Sequence, residues 1–301
     1  MKGGTPPEWM RQRERSHLGA LRFMVWLSLT LGRPFGRLVL RFVTLYFVLF
    51  SPKARRASRD YLRRALGRPP TWGDGYRHVH SFASTVHDRV YLLNDRFDLF
   101  DIRFVGDDAL HEALQRQRGA LLLGAHLGSF EVLRAMAHAR AHAPVAMMMY
   151  EDNAQKINAI LNAIKPGARQ DVVALGHPDT MLKARDKLDD GHLVGLLADR
   201  SLAHDSTAEC LFLGEPARFA VGPWRMAAML RRPVFFMAGL YLGGNRYELR
   251  FEQLADFSTV ERGERDAAIA QAMQAYADRL SELCRRAPYN WFNFFDFWPR
   301  T

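Results

Sequence analysis

The sequence predicts an α/β fold built on a mixed, largely parallel β-sheet flanked by helices. The main observation is that short apolar runs alternate with segments of helical composition, which is typical of parallel strands joined by helical crossovers. The apolar runs are residues 120–125, 144–150, 171–175 and 193–198, and the helical segments are residues 129–141, 153–164 and 179–189. A second observation is a pair of apolar runs, 233–242 and 246–254, joined through two glycines. This pair predicts an antiparallel hairpin added to the sheet.

The N-terminal 68 residues differ from the rest of the chain in charge. They hold 15 Lys or Arg against three carboxylates, within a whole-chain net charge of +10, so the remainder is slightly negative. Apolar runs at residues 23–31 and 42–50 are interleaved with these cations. Neither run reaches the roughly 20 apolar residues that span a bilayer. We therefore expect insertion into one leaflet, or a helical hairpin broken near Pro34, at the anionic cytoplasmic face of a membrane.

Other functions of this basic, apolar region stay open. The two runs could be core helices of a soluble protein with a basic surface. Nucleic-acid binding is disfavoured, because the apolar residues form long aliphatic runs and not isolated stacking aromatics. A cleavable signal peptide fits poorly, since no small-residue cleavage site follows the first run. We divide the chain into membrane-associating helices at residues 1–68 and a catalytic domain at residues 69–301.

Further helices are predicted on both sides of the alternating region. Residues 51–67 read as a basic helix capped by Ser51, begun by Pro52 and closed by Gly67. Helices are also expected at residues 75–97, 222–231 and 267–286. The first of these carries His78, His80 and His87, which we expect to be structural or solvent-facing.

The cysteine content excludes two classes of site. Only Cys210 and Cys284 are present, far apart in the chain, so neither a disulfide framework nor a zinc site is indicated. Both read as small buried hydrophobes in a reducing compartment. The sequence also lacks a P-loop and a dinucleotide fingerprint. We therefore expect no metal and no cofactor.

Residues 120–131, A-L-L-L-G-A-H-L-G-S-F-E, carry the main candidate site. They predict a buried strand that turns into a helix, with His126 at the turn, Gly128 or Ser129 as the helix cap and Glu131 in its first turn. In open α/β sheets the chemistry lies beyond the carboxyl ends of such strands. If the Glu131 carboxylate meets one imidazole nitrogen, the other can take a proton from a substrate hydroxyl. The alternative is a partly exposed strand-end histidine beside a helix-dipole glutamate.

Four blocks in order carry a resemblance to a known family. The segment H-L-G-S-F-E resembles the H-x-x-x-x-E block of the bacterial lipid A biosynthesis (late) acyltransferases, a branch of the lysophospholipid acyltransferase superfamily. Three further blocks are similar to later blocks of that branch: G-L-L-A-D-R at 195–200, F-L-G-E-P-A at 212–217 and P-Y-N-W-F-N-F-F-D-F-W at 288–298. The resemblance covers most of residues 20–301. It implies a glycerolipid acyltransferase-like fold and an O-acyltransferase activity.

The resemblance also implies a set of site residues. His126 and Glu131 are the expected catalytic pair, and backbone N–H groups at the start of the following helix are candidate oxyanion donors. The other expected members position the acceptor or shape the wall of the site; they are Gly128, Ser129, Asp199, Arg200, Phe212, Gly214 and Pro216. The implied donor is an acyl carrier protein or acyl-CoA thioester, and the implied acceptor is a lipid or glycolipid. The expected location is the cytoplasmic face of the cell inner membrane.

The sequence departs from the lipid A pattern after the second strand. It reads M-Y-E-D-N at residues 149–153, where those enzymes often carry an arginine. The acidic pair Glu151 and Asp152 would repel a phosphate-rich acceptor. Here, in R-F-A-V-G-P after Ala217 and in the aromatic C-terminal block, the chain is more similar to acyltransferases associated with bacterial aryl-polyene pigment pathways. We therefore expect that sub-type, with a lipid A acyltransferase proper as the alternative.

Two other classes of function stay open. One is a thioesterase or lipid hydrolase, in which water replaces the acceptor on the same scaffold. A serine nucleophile is disfavoured, because Glu131 stands where a G-x-S-x-G elbow needs its final glycine. The other is a non-catalytic lipid-binding protein that kept the fold, against which the His126 and Glu131 pair argues.

Overall fold

The computed structural model describes residues 18–106, 108–115, 119–132, 144–169, 171–201 and 205–298. The helices are α1 (Leu18–Phe50), α2 (Pro52–Leu66), α3 (Trp72–Leu93), α4 (Asp108–Gln115), α5 (Glu151–Ile164), α6 (Thr180–Asp189), α7 (Gly222–Leu230) and α8 (Arg265–Arg286). The strands are β1 (Asp101–Val105), β2 (Ala120–Gly128), β3 (Val145–Tyr150), β4 (Val172–Leu175), β5 (Leu193–Leu197), β6 (Thr207–Phe212), β7 (Glu215–Ala220), β8 (Pro233–Tyr241) and β9 (Arg246–Asp256).

Seven of these strands form one sheet in the order β1-β9-β8-β2-β5-β3-β4. Strand β2 lies near its centre and pairs in parallel with β5 on one side and β8 on the other. Only β8 and β9 are antiparallel neighbours in this sheet, and they form the predicted hairpin. The α/β class with a mixed, largely parallel sheet is therefore confirmed.

The buried strand β2 divides the core into two layers. Leu121 and Leu123 face a cluster that contains Tyr276 of α8, whereas Leu122 faces the cluster that contains Tyr91 of α3. Alternate residues of a strand point to opposite faces of a sheet, so β2 is covered by helices on both sides. This burial explains its continuous apolar run.

Some elements were not predicted from the sequence. Strand β1 pairs in parallel with β9 at one edge of the sheet. Strands β6 and β7 form a separate antiparallel hairpin, and α4 was also missed. Strand β1 alternates charged with apolar residues, and β7 contains Pro216, so neither shows the apolar run that marks a buried strand.

The long helix α1 is interrupted at Gly32, where φ is 81° and ψ is 168°. Glycine adopts this left-handed backbone without a steric penalty, so the break lies at Gly32, two residues before the predicted position at Pro34. The bounds of helix α2 agree closely with the prediction, and Gly67, with φ 65°, caps its C-terminus. Among the described residues, no single helix is long and apolar enough to cross a bilayer. By length and composition, α1 from residue 22 and α2 pass that test only together, with a bend of 95° between them.

Helix α1 is fastened to α3 by buried polar contacts. The Asp88 carboxylate of α3 accepts from Arg33 at 2.8 Å and Arg37 at 2.5 Å, and from the hydroxyl of Tyr247 at 2.7 Å. Ser28 and His87 are hydrogen-bonded at 3.1 Å. His87, like His78, is buried, as the structural interpretation of these histidines predicted. The division of the chain at residue 68 stays a prediction.

Candidate active site

His126 lies inside strand β2, three residues before the position where a helix was expected to begin. The register of β2 against β8 shifts between Gly124 and Gly128. Such an irregularity bends a strand and redirects its side chains. Most of the predicted helix at 129–141 lies within residues 133–143, which are outside the described residues.

The end of β2 is paired with the C-terminal segment, residues 287–298. Leu127 forms an isolated antiparallel bridge with Trp291. The Phe292 N–H donates to the His126 carbonyl at 2.7 Å, and the Gly128 N–H donates to the Asn290 carbonyl at 2.8 Å. The C-terminal segment thus fixes the backbone on both sides of His126.

The His126 ring is held by Asp199, which follows the neighbouring parallel strand β5. His126 Nδ1 lies 2.8 Å from Asp199 Oδ1, and the His126 backbone N–H donates to Asp199 Oδ2 at 3.0 Å. An ionised carboxylate can only accept, so Nδ1 carries the proton and Nε2 presents its lone pair. The His126 side chain is 27% exposed and Asp199 is buried. Within the described part of the chain, Nε2 makes no hydrogen bond, so it is available to take a proton.

This geometry corrects the predicted partner of His126. Glu131 was expected to orient the imidazole, but its Oε1 lies 3.3 Å from Nε of Arg89 on α3. The physical reason is that β2 continues through Gly128, which keeps His126 beside β5, where Asp199 emerges. The sequence did place Asp199 in the site, through the block G-L-L-A-D-R, but assigned it another role.

Charge at the site favours a neutral imidazole beside an ionised carboxylate. Burial would raise the pKa of Asp199, but the neighbouring His126 and Arg200 hold that pKa well below its usual range. Burial lowers the pKa of His126, and the positive charge of Arg200 lowers it further, whereas Asp199 opposes both effects. His126 is therefore unprotonated at neutral pH, as a general base requires.

Arg200 is partly buried against the C-terminal segment. Its Nε donates to Asn293 Oδ1 at 2.8 Å, and its Nη2 donates to the Phe292 carbonyl at 3.3 Å. Its guanidinium carbon lies 5.4 Å from the centre of the Phe295 ring. The structure therefore places Arg200 next to the His126 site, and its role there stays a prediction.

The backbone N–H groups of Gly128 and Ser129 are both hydrogen-bonded within the protein. The Gly128 N–H is bonded to Asn290, and the Ser129 N–H donates to the Gly239 carbonyl at 2.7 Å. Gly128 has φ +74°, and a Cβ there would lie 2.0 Å from the Gly239 oxygen. Glycine is required because β2 and β8 approach closely at this point. The oxyanion donors were expected at the start of the following helix, most of which lies outside the described residues, so that expectation stays a prediction.

The block that contains Phe212, Gly214 and Pro216 forms the β6–β7 hairpin. Gly214 has φ +89° at its turn, and Pro216 pairs with Leu211. Phe212 is buried, and its ring centre lies 5.2 Å from that of Trp291. The structure thus connects Phe212 to the site through Trp291, and it places Gly214 and Pro216 in the hairpin itself.

Two side chains that the sequence interpretation did not single out complete the surroundings of Asp199. Trp291 Nε1 and Asn293 Nδ2 donate to its Oδ2 at 2.9 Å and 3.0 Å. Their block was recognised as aromatic, and its asparagines were overlooked. The available signal was the N-W-F-N pattern, in which polar side chains interrupt an otherwise aromatic run.

Metal ligands, thiols and a groove are the other features that could mark a site in the described residues. The described residues contain no group of three or more His, Cys, Asp or Glu side chains that could hold a metal ion, and the thiols of Cys210 and Cys284 are buried and free. A groove of about 660 Å³ between α5 and β4 is lined by residues such as Asn158 and His177. It contains neither His126 nor Asp199, so it is separate from the candidate site.

Comparison with known proteins identifies the family. No curated protein matches the sequence. The sequence does match the family model for bacterial lipid A biosynthesis acyltransferases over residues 85–300, well over half of the chain. The matched range includes strands β2 and β5 and the whole C-terminal segment, and therefore both His126 and Asp199. The chain belongs to the bacterial lipid A biosynthesis acyltransferase family and is, in general terms, a lipid acyltransferase.

Proposed function

We propose that this protein transfers an acyl group from a carrier-protein or coenzyme A thioester to a hydroxyl of a lipid or glycolipid, with His126 as the general base. The observation that carries the proposal is the His126–Asp199 pair at the carboxyl end of β2. A carboxylate on Nδ1 fixes the tautomer in which Nε2 accepts a proton. Family membership supports lipid acyl transfer in general, and the pair supplies its chemistry.

The proposed reaction balances without a cofactor. His126 Nε2 removes the proton of the acceptor hydroxyl as its oxygen attacks the thioester carbonyl, which forms a C–O bond and a tetrahedral oxyanion. Collapse of this intermediate restores the carbonyl and breaks the C–S bond. The imidazolium, stabilised by Asp199, then returns the proton to the leaving sulfur. General-base catalysis of this kind typically supplies ~10²–10⁴-fold in rate.

Arg200 is the proposed electrostatic support for the oxyanion. The backbone N–H groups of Gly128 and Ser129 are already bonded, so neither is free to donate to the oxyanion. The charge of Arg200 is close enough to lower the pKa of His126, and a fixed charge in a water-poor site stabilises developing negative charge strongly. We assign Phe212, with Trp291, to the wall that separates this site from the core.

We further propose that α1 rests in one leaflet of the inner membrane at its cytoplasmic face. One side of the helix packs on α3, and the other exposes large apolar side chains, including Trp26 at 59% and Phe42 at 67%. Helix α2 exposes Arg56, Arg59 and Arg63 directly after it. Apolar burial with cations at headgroup depth favours an anionic membrane surface. This placement would bring lipid acceptors to the enzyme.

The acidic residues after β3 support an acceptor that is less phosphate-rich than lipid A. Glu151 and Asp152 are exposed at the start of α5, and β3 is parallel to β5, so both lie at the sheet edge that carries Asp199. Their negative charges at that edge repel a phosphate-bearing ligand. We therefore propose an acceptor other than lipid A, keep the aryl-polyene acyl group that the sequence resemblance implies, and retain a lipid A acceptor as the alternative.

A transfer assay tests the proposed function and separates it from hydrolysis. Purified protein in detergent would be mixed with an acyl-CoA or an acyl carrier protein thioester and a bacterial lipid extract, without added metal or nucleotide. Mass spectrometry should show an acylated lipid that requires both substrates. Free acid as the sole product would identify a thioesterase. Loss of activity in EDTA that a divalent ion restores would contradict the expectation that no metal is needed.

A further inference from the structure

The two oxygens of Asp199 have different surroundings. Oδ1 faces Nδ1 of His126 at 2.8 Å. Oδ2 accepts from the His126 backbone at 3.0 Å, from Trp291 Nε1 at 2.9 Å and from Asn293 Nδ2 at 3.0 Å. Three donors on one oxygen fix the rotation of the carboxylate about its last bond. They also offset the cost of burying an ionised group, which is large without such partners.

The two side-chain donors are themselves held in place. Trp291 is 0% exposed and Asn293 is 1% exposed. The Trp291 ring packs against Tyr61 with a centroid distance of 5.0 Å, and Asn293 Oδ1 accepts from Arg200 Nε at 2.8 Å. Neither donor can turn away from Asp199 without breaking a second contact.

The main chain of Trp291 is anchored by helices α2 and α3. His78 on α3 lies with Nε2 2.8 Å from the Trp291 carbonyl and with Nδ1 2.8 Å from Ser58 Oγ on α2. Burial lowers the pKa of His78 to about 4, against a smaller opposing effect of the Trp291 carbonyl. The ring is therefore neutral, so Nε2 donates to Trp291 and Nδ1 accepts from Ser58. A chain of hydrogen bonds runs from α2 through Trp291 to Asp199.

We propose that Trp291 and Asn293 are positioning residues that hold Asp199 ionised and in line with His126, so that the C-terminal segment completes the catalytic pair. This inference rests on the proposed general-base function. Both side chains are buried behind Asp199, so neither reaches a substrate. Their removal should therefore lower kcat and leave KM for donor and acceptor unchanged.

Trp291→Phe removes the indole N–H and keeps an aromatic ring. Trp298→Phe is the matched control, because Trp298 is buried in the same cluster, 5.9 Å from Trp291 between ring centres. Its Nε1 has no acceptor among the residues that the structure describes. We expect Trp291→Phe to lower kcat about 10-fold to 100-fold, the usual cost of losing a partner that orients a catalytic group. Trp298→Phe should stay within about twofold of wild type, since it loses no hydrogen bond.

A double-mutant cycle separates positioning from a general loss of structure. Once Asp199→Ala removes the carboxylate, Trp291→Phe should cause little further loss, because nothing is left for the indole to hold. A purely structural role would instead lower the activity by the same factor in both backgrounds. If Trp291→Phe does not fold, judged by thermal unfolding, Asn293→Leu takes its place in the same cycle, measured also in an Arg200→Ala background because Asn293 accepts from Arg200 as well.

Each outcome decides between defined possibilities. Equal activities of Trp291→Phe and Trp298→Phe, or losses that multiply in the cycle, would overturn the positioning role. If Asp199→Ala itself keeps wild-type activity, the proposed base mechanism fails and the inference fails with it. If Asp199→Ala is inactive while Trp291→Phe and Asn293→Leu are fully active, only the inference fails.

Discussion

Replacing Asp199 by asparagine should invert the protonation of the base. Three N–H donors meet Oδ2, so the amide oxygen of the introduced asparagine must take that place. Its NH₂ group then faces Nδ1 of His126, where Oδ1 lies in the wild type. Nδ1 has to accept this hydrogen bond, which moves the imidazole proton to Nε2. The nitrogen that faces the acceptor hydroxyl can then no longer take a proton.

The magnitude of this effect follows from the distance between the two side chains. An imidazolium and a carboxylate 2.8 Å apart attract each other by about 6 kcal/mol at an effective dielectric constant of about 20. That is enough to account for the whole ~10²–10⁴-fold contribution of a general base. Asp199→Asn should therefore lower kcat/KM by at least ~10²-fold, with the donor and acceptor still bound.

Initial rates of thiol release and of acyl-lipid formation measure this loss. Thermal unfolding of the same preparations reports whether the variant is folded. Glu131→Gln is the matched control, since it makes the same carboxylate-to-amide change on the residue that pairs with Arg89. A folded Asp199→Asn protein with more than about a tenth of wild-type activity would refute the assigned role, because loss of a working base does not permit it.

Three further predictions concern other parts of the molecule. Burial lowers the pKa of His126, and Asp199 opposes this effect. We therefore expect kcat/KM to be constant above about pH 6.5 and to fall tenfold per pH unit below the pKa of His126, where the base is protonated. A flat pH–rate profile down to pH 4 would contradict this. Glu131→Gln and Arg89→Gln should each lower the free energy of unfolding by about 1 kcal/mol, and the double variant by less than the sum, because all three lose the ion pair between these residues. Full additivity in denaturant titrations would show that they act separately. The protein should sediment with membranes in about 1 M salt, because salt screens charge contacts but does not weaken apolar burial. The double variant Trp26→Asp, Phe42→Asp should remain in the soluble fraction. Extraction of the wild type by salt would contradict the leaflet placement.

The strands that the sequence predicted are those whose burial produces a continuous run of apolar residues. Strands β2 and β8 are covered on both faces, so nearly all of their side chains are apolar. Strand β1 has only exposed or partly exposed side chains, and its pairing with β9 depends on residues more than a hundred positions away. Composition over a short window cannot reveal such a partner.

The candidate site shows the same limit. Strand periodicity and the block around His126 identified the base, because both are local features. The orienting carboxylate was assigned to Glu131, since the histidine was expected at a turn. The continuation of β2 to Gly128 brings in Asp199 instead, 73 positions along the chain. The donors to Asp199 come from the C-terminal segment, so only the folded chain shows that Trp291 belongs beside it.

The most direct test of the account is the rate of acyl-lipid formation by folded His126→Ala protein. With a thioester donor and lipid acceptor, the account predicts a rate ~10²–10⁴-fold below wild type at neutral pH, with an unchanged thermal unfolding midpoint. If this variant keeps more than about a tenth of the wild-type rate, His126 is not the base and the proposed mechanism is wrong.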